Sequence, residues 1–300
     1  MKIAVTGGTG QLVRSIAERG PLVGHEVIPV SRPALDLASH DDDIVQAALD
    51  AVRPDAIVNA AAHTAVDKAE SERDLAFAIN AAGAGAVARA AARIGVPLVH
   101  ISTDYVFAGD KAEPYVESDP TGPTGVYGAS KLAGEQAVLA SGADAAILRT
   151  AWVYSPFGAN FVKTMLRLAE TRDEVGVVGD QHGNPTSALD LADAVIAVAQ
   201  HLVDGHDARH RGIFHASGNG EGTWADLAEI VFAASAANGG PSAHVRRIAT
   251  VDYPTPARRP SNSRLNCTAL FDRHGVSFPD WHASAAAVTA RLLHEKATTA

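Results

Sequence analysis

"VTGGTGQLVRSI", residues 5–16, follows a lysine and the apolar pair Ile3–Ala4 at the start of the chain. It reads as a strand that runs into a glycine-rich turn and then a helix. Gly7 and Gly10 stand where a dinucleotide-binding turn has its first two glycines, but the third position is Val13. Glycine lets the chain turn tightly and leaves amide N–H groups open to a pyrophosphate at the helix N-terminus. The third glycine serves the packing of helix on strand. Val13 therefore predicts a slightly displaced first helix and a surviving nucleotide site. The competing reading is a glycine turn without a ligand.

The surrounding pattern supports the nucleotide reading. Apolar runs at 2–6, 25–30, 55–60, 97–102 and 145–150 alternate with helical patterns near 10–20, 41–53, 74–95 and 126–141. Such alternation of continuous apolar strands with helices predicts an α/β fold, a Rossmann-type doubly wound parallel sheet. After residue 150 the rhythm loosens. Helices are expected at 161–170, 188–203 and 223–238, a strand at 212–217, and a proline- and arginine-bearing loop at 251–266. This part reads as a smaller, interleaved C-terminal α/β substrate domain, too irregular to continue the sheet. The expected partition is 1–150 with 188–213 for the nucleotide domain and 151–187 with 214–300 for the substrate domain.

Bulk properties narrow the classes. The 300 residues carry a net charge of −9, against general nucleic-acid binding, which needs a basic footprint. The single cysteine, Cys267, permits no intrachain disulfide and fits a reducing compartment. The chain enters its first strand without a secretory pattern, and no unbroken apolar run reaches span length, so no membrane partner and a cytoplasmic location are expected.

Two further segments bear on chemistry. After the second strand, "SRPALDL" brings Ser31 and Arg32 where an acidic residue would select NAD(H). Arg32 facing a 2′-phosphate favours NADP(H), with NAD(H) still possible; the alternative is a solvated arginine. Asp36 and Leu37 are placed to flank an adenine. Tyr127 and Lys131 are i and i+4, so they share a helix face. A nearby ammonium and a nicotinamide ring charge together lower a tyrosine pKa, and the phenol then gives its proton to a carbonyl oxygen during reduction. Thr103, closing the fourth strand, is placed to hydrogen-bond the same oxygen.

Taken together, "GGTGQL" (7–12), "RPDAIVNAAAHTAVDKAE" (53–70), "STDYVF" (102–107), "VYGASKLAGE" (126–135), "RTAWVYSPFGANFVKTML" (149–166), "DQHGNPTSALDLA" (180–192) and "RRPSNSRL" (258–265) resemble the extended short-chain dehydrogenase/reductases. More narrowly they resemble the dTDP-4-dehydrorhamnose reductase family, over nearly the whole chain. That resemblance implies NADPH-dependent reduction of the 4-keto group of dTDP-6-deoxy-L-lyxo-4-hexulose to dTDP-L-rhamnose. It implies Thr103, Tyr127 and Lys131 as the catalytic set, with Gln11, Leu12, Ala60, Ala61 and Ala62 along the cofactor. Asp104 and Tyr105 would lie near the sugar, Trp152 would wall its pocket, and Asn160 and Phe161 would approach the nucleotide. Asp67 and Lys68 would lie near the nicotinamide. The alternatives are reduction of another dTDP-4-keto-6-deoxy sugar, or a non-catalytic NADP(H)-binding regulatory subunit. Some members form a metal-linked dimer using a carboxylate of the first helix; here Ser15 and Arg14 stand there, so a homodimer stays open and no metal is expected.

Arg246, Arg247, Arg258, Arg259 and Arg264 form a basic concentration suited to a diphosphate, of which Arg259 is the candidate substrate residue. His201, His206, His210 and His215 lack metal-ligand spacing and read as solvated loop residues. His63 reads as satisfying a backbone carbonyl, with cofactor contact as the alternative, and His182 lies in another motif loop near the proposed pocket. Ser155, Ser217 and Ser261 lack a nucleophile elbow.

Overall fold

The computed structural model describes residues 1–205 and 207–299. The first half contains β1 (Lys2–Thr6), α1 (Gln11–Leu22), β2 (Glu26–Val30), α2 (Asp42–Asp50), β3 (Ala56–Asn59), α3 (Val66–Ala69), α4 (Arg73–Phe77), α5 (Ala84–Ile94), β4 (Leu98–Thr103), α6 (Val126–Ala140) and β5 (Ala145–Thr150). The second half carries β6 (Val153–Tyr154), α7 (Phe161–Ala169), β7 (Glu174–Val178), β8 (His182–Gly183), β9 (Thr186–Ser187), α8 (Ala188–Asp204), β10 (Gly212–His215), β11 (Gly222–Thr223), α9 (Trp224–Ala237), β12 (His244–Ile248), α10 (Thr268–His274) and α11 (Trp281–Thr299).

Six strands pair in parallel in the order β10-β5-β4-β3-β1-β2. Neighbouring side chains of a strand point to opposite faces. Ile3 and Val5 accordingly join a core with Ile16 of α1 and Leu191, Val195 and Val198 of α8. Ala4 joins the opposite core, with Val45 of α2, Val87 of α5 and Val138 of α6. The order reverses between β1 and β3, so a crevice opens at their carboxyl ends, where doubly wound sheets bind ligands. A third core unites α7, β7, α9, β12 and α11 around Tyr154, Phe232 and Trp281.

Two expectations about the tail are corrected. β10 does continue the sheet, pairing with β5 and covering an edge whose backbone groups would otherwise lack partners, and the expected boundary at 213 falls inside it. Leu270 of α10 and Phe278, expected in the second domain, complete the core on the α1/α8 face beside Phe214.

The expected helix at 74–95 consists of α4 and α5 joined by a π-helical turn, Ala78–Gly83. The turn buries Asn80, whose side chain binds both backbone groups of His63 and donates to Ser130 Oγ. This fixes the loop after β3 against α6. By length and composition the stretch Arg73–Ile94 would suffice to cross a membrane, but its residues are mostly built into the protein core.

Candidate active site

The carboxyl ends of β1 to β5 open into a cleft of about 1060 Å³ that runs from Gly7 and Arg32 to Trp152 and Asn160. At one end is the glycine turn. Gly7 has φ +103°, a conformation that side-chain-bearing residues rarely adopt. Gly10 caps α1 in an extended conformation and no side chain caps the helix. Its first-turn amides therefore open on the cleft, an arrangement suited to a pyrophosphate. Val13 is buried in the α1 core, with Cγ2 3.2 Å from where a Cβ on Gly7 would stand. It fills the space over that glycine.

The other expected cofactor residues line the same end: Gln11, Leu12, Ser31, Arg32, Asp36, Leu37 and Ala60 to Ala62. Arg32 is exposed and forms no ion pair among the described residues, leaving its guanidinium available to a 2′-phosphate. Asp36 spends one carboxylate oxygen on the Ala38 amide. The loop holding Ala61 is anchored by a buried chain: Thr6 Oγ1 donates to Asn59 Oδ1 at 2.7 Å, accepts from Ala61 N at 3.1 Å, and Asn59 Nδ2 meets His100 Nδ1 at 3.0 Å. The open helix terminus and the exposed Arg32 side chain fit a dinucleotide.

Thr103, Tyr127 and Lys131 converge on the middle of the cleft. Thr103 Oγ1 donates to Asp104 Oδ1 at 2.8 Å and lies within reach of the Tyr127 hydroxyl. To serve a carbonyl oxygen directly, that hydroxyl must turn from Asp104. Burial pushes the Asp104 carboxyl up to about 6. Lys131, only 2% exposed, donates from Nζ to the Ile101 carbonyl at 2.7 Å, and burial brings its pKa down to about 8 against the opposing pull of Glu135.

The lowering of the Tyr127 pKa expected from Lys131 and a nicotinamide charge together is opposed, in the protein itself, by burial. Burial pushes this phenol well above the ordinary tyrosine range, and Lys131 spends one of its three N–H donors on the Ile101 carbonyl. A phenol that stays protonated at neutral pH is the form a reductase needs as proton donor.

At the far end, Asp104, Tyr105, Trp152 and Asn160 line the cleft. Tyr105 meets Tyr127 edge-on, with ring centroids 5.5 Å apart, and burial raises its pKa to about 12. Arg259 bonds Asp67 at 2.6 Å and reaches the Tyr105 hydroxyl at 3.5 Å, so Asp67 is placed beside Tyr105, with Lys68 following on α3. Trp152, at φ +49°, stacks on Trp224 at 3.7 Å, and Phe161 packs behind Trp224 at 4.9 Å. Asn160 caps α7 and donates to Gln11 Oε1, tying the two ends of the cleft together.

Other expectations change. The arginines are not one cluster. Arg246 pairs with Glu174, Arg247 with Asp226 and Glu229, and Arg264 with Glu221, while Arg258 is exposed; Arg259 is the one bonded to a cleft-lining side chain. His63 pairs with Glu72 at 2.7 Å rather than with a carbonyl. His215 is fully buried in β10 and His201 and His210 are half-buried, because α10 folds over them; His206 lies outside the described residues. His182 is exposed on β8. Ser155 and Ser261 donate to backbone carbonyls and Ser217 contacts Cys267.

Two site residues escaped the sequence reading. Trp224 was placed on a helix without a role, and no local signal links it to Trp152. Glu135 did have a signal, because Tyr127, Lys131 and Glu135 repeat at i+4 along α6. It is buried, holds Arg149 through two hydrogen bonds of 2.9 and 2.7 Å, and accepts from Ser102 at 2.5 Å.

A doubly wound sheet, an uncapped glycine turn and a Thr–Tyr–Lys centre in one cleft define a nucleotide-dependent oxidoreductase of the extended short-chain dehydrogenase/reductase class. The family model of the RmlD substrate binding domain matches residues 1–294. The dTDP-4-dehydrorhamnose reductase of Sinorhizobium fredii NGR234 is 49% identical over 296 residues, covering 98% of this chain and 99% of that protein. The crystal structure of a dTDP-4-dehydrorhamnose reductase from Clostridium acetobutylicum shares 38% identity and superposes with a TM-score of 0.89, covering 98% of this chain and 100% of that one. The Bacillus anthracis enzyme of the same name, in complex with NADP, shares 36% identity and a TM-score of 0.87, covering 97% and 99%. The chain belongs to the dTDP-4-dehydrorhamnose reductase family.

Proposed function

We propose that this chain reduces the 4-keto group of dTDP-6-deoxy-L-lyxo-4-hexulose to dTDP-L-rhamnose, with NADPH preferred over NADH. The observation that carries the reading is the single cleft joining a dinucleotide turn to a protonated Tyr127 and an aromatic-walled annex. NADPH, when bound, supplies the hydride that reaches the sugar C4. Tyr127 holds the proton for the developing alkoxide, and Thr103 orients the oxygen once its hydroxyl leaves Asp104. Lys131, anchored on Ile101, keeps a positive charge at the centre. Trp152, supported by Trp224, walls the sugar, and Arg259 braced by Asp67 offers a cation near Tyr105. Thr103, Tyr127 and Lys131 in one cleft argue against a binding-only subunit.

The test follows NADPH and NADH oxidation in parallel with the dTDP-4-keto sugar, and identifies the product. Sugar-dependent loss of reduced-nicotinamide absorbance, faster with NADPH and yielding dTDP-L-rhamnose, is expected. No sugar-dependent oxidation with either cofactor would refute the reading.

A further inference from the structure

We propose that His201, His210 and His274 form a binding site for a Zn²⁺-class divalent transition metal ion, outside the catalytic cleft. The three residues come from separate elements: the last turn of α8, the 3₁₀ turn Ala208–His210, and the end of α10. One ligand nitrogen from each lies within 4.8 Å of the others. His201 Nδ1 and His274 Nδ1 stand 3.3 Å apart. Two nitrogens each ~2.0–2.1 Å from a tetrahedral ion would be about 3.3–3.4 Å apart, so this pair already has the spacing of two ligands.

His201 Nδ1 and His274 Nδ1 face each other as a hydrogen-bonding pair, while two of the rings keep a buried nitrogen without a partner. His274 is 4% exposed and its Nε2 has no partner, and His210 Nδ1 is likewise buried and unpartnered. Unpaired buried ring nitrogens are costly. The rings lie nearly parallel, 17–27° between planes, with centroids 4.8–5.5 Å apart. A turn of His210 about its soft side-chain torsion brings its lone pair toward the other two. Three imidazoles select a borderline ion such as Zn²⁺ over Mg²⁺ or Ca²⁺, and leave a fourth position for water.

The position indicates a structural role. Gly212 begins β10 two residues after His210 and pairs with Ala146 near the start of β5, whereas Thr103 pairs with Thr150 at its end. The four-residue offset corresponds to ~13 Å along the strand. An ion here clamps α8, α10 and the entry to the edge strand, while the catalytic centre lies at the opposite, carboxyl end of the strands.

The experiment uses the full chain without a polyhistidine tag, stripped with EDTA and titrated calorimetrically with Zn²⁺. Thermal melts with and without the ion and the absorption of the Co²⁺-loaded protein complete it. One equivalent bound in the micromolar range or tighter, tetrahedral Co²⁺ bands and a raised Tm are expected. His274→Gln and His210→Gln should each weaken Zn²⁺ binding at least ~10-fold and abolish the Tm rise, with reductase turnover unchanged in the metal-free state. Because His210 is half-buried on a short turn, its variant keeps the test available if His274→Gln fails to fold. Zn²⁺ affinity unchanged in the folded variants, or no micromolar binding by the parent chain, would overturn the proposal.

Discussion

Replacing Val13 by glycine would restore the usual nucleotide fingerprint, yet packing predicts a weaker protein rather than a better cofactor site. Val13 is 2% exposed within the core formed by α1, α8 and the sheet. Removing three buried carbons at ~0.8 kcal/mol each costs about 2.4 kcal/mol. The cavity left behind and the ~0.5 kcal/mol helix penalty of glycine relative to valine bring the loss to about 3–4 kcal/mol. An unfolding entropy of ~2.1 cal/mol/K per residue gives ~0.63 kcal/mol/K for 300 residues, so Tm should fall by about 5–6 °C. NADPH affinity should stay within about threefold, under ~0.7 kcal/mol, because the Gly7–Gly10 turn and uncapped α1 terminus remain. Thermal melts and a fluorescence titration with NADPH measure both quantities. An unchanged Tm, or a shift in NADPH affinity above about tenfold, would refute the assignment of Val13 to packing.

Three other outcomes follow from the site. The Lys131 pKa of about 8 lies below the ordinary lysine value, so kcat/KM should fall as pH rises through about 8 and this charge is lost; a flat profile to pH 9.5 would contradict a role for the ammonium. Glu135→Gln leaves Arg149 buried without its carboxylate and should cost about 3–5 kcal/mol in denaturant unfolding. Because Glu135 pulls the Lys131 pKa upward, the same variant should move the alkaline limb to lower pH; an unmoved limb would break that link. Gly183→Ala puts a Cβ 2.4 Å from the Trp152 ring, forcing it off the Trp224 stack. Loss of the stack, worth ~0.5–1.5 kcal/mol, should raise the KM for sugar roughly 2- to 10-fold and leave NADPH binding unchanged; the reverse would misplace the sugar end.

The nucleotide half of the molecule was legible because its signals are local. The strand–glycine–helix order around Gly7 and the i+4 pair Tyr127 and Lys131 are short-range patterns, and the structure realises them where they were read. Signals failed where contacts join distant segments. His274 meets His201 across 73 residues, and Trp152 finds Trp224 across a comparable span. β7 and β12 pair only with each other outside the main sheet, and β12 is mostly exposed, so it lacks the continuous apolar run by which the similarly short β1 and β3 were read. The burial that raises the Tyr127 pKa was not legible for another reason: the i+4 spacing reports that Lys131 shares its helix face, but not how deeply the phenol is buried.

The central claim is that Tyr127 supplies the proton during reduction of the 4-keto sugar. Steady-state kinetics of Tyr127→Phe with NADPH and dTDP-6-deoxy-L-lyxo-4-hexulose test it most directly. The account predicts a fall in kcat of about 10²- to 10⁴-fold, with NADPH binding near that of the parent enzyme. Full turnover by the phenylalanine variant would contradict it.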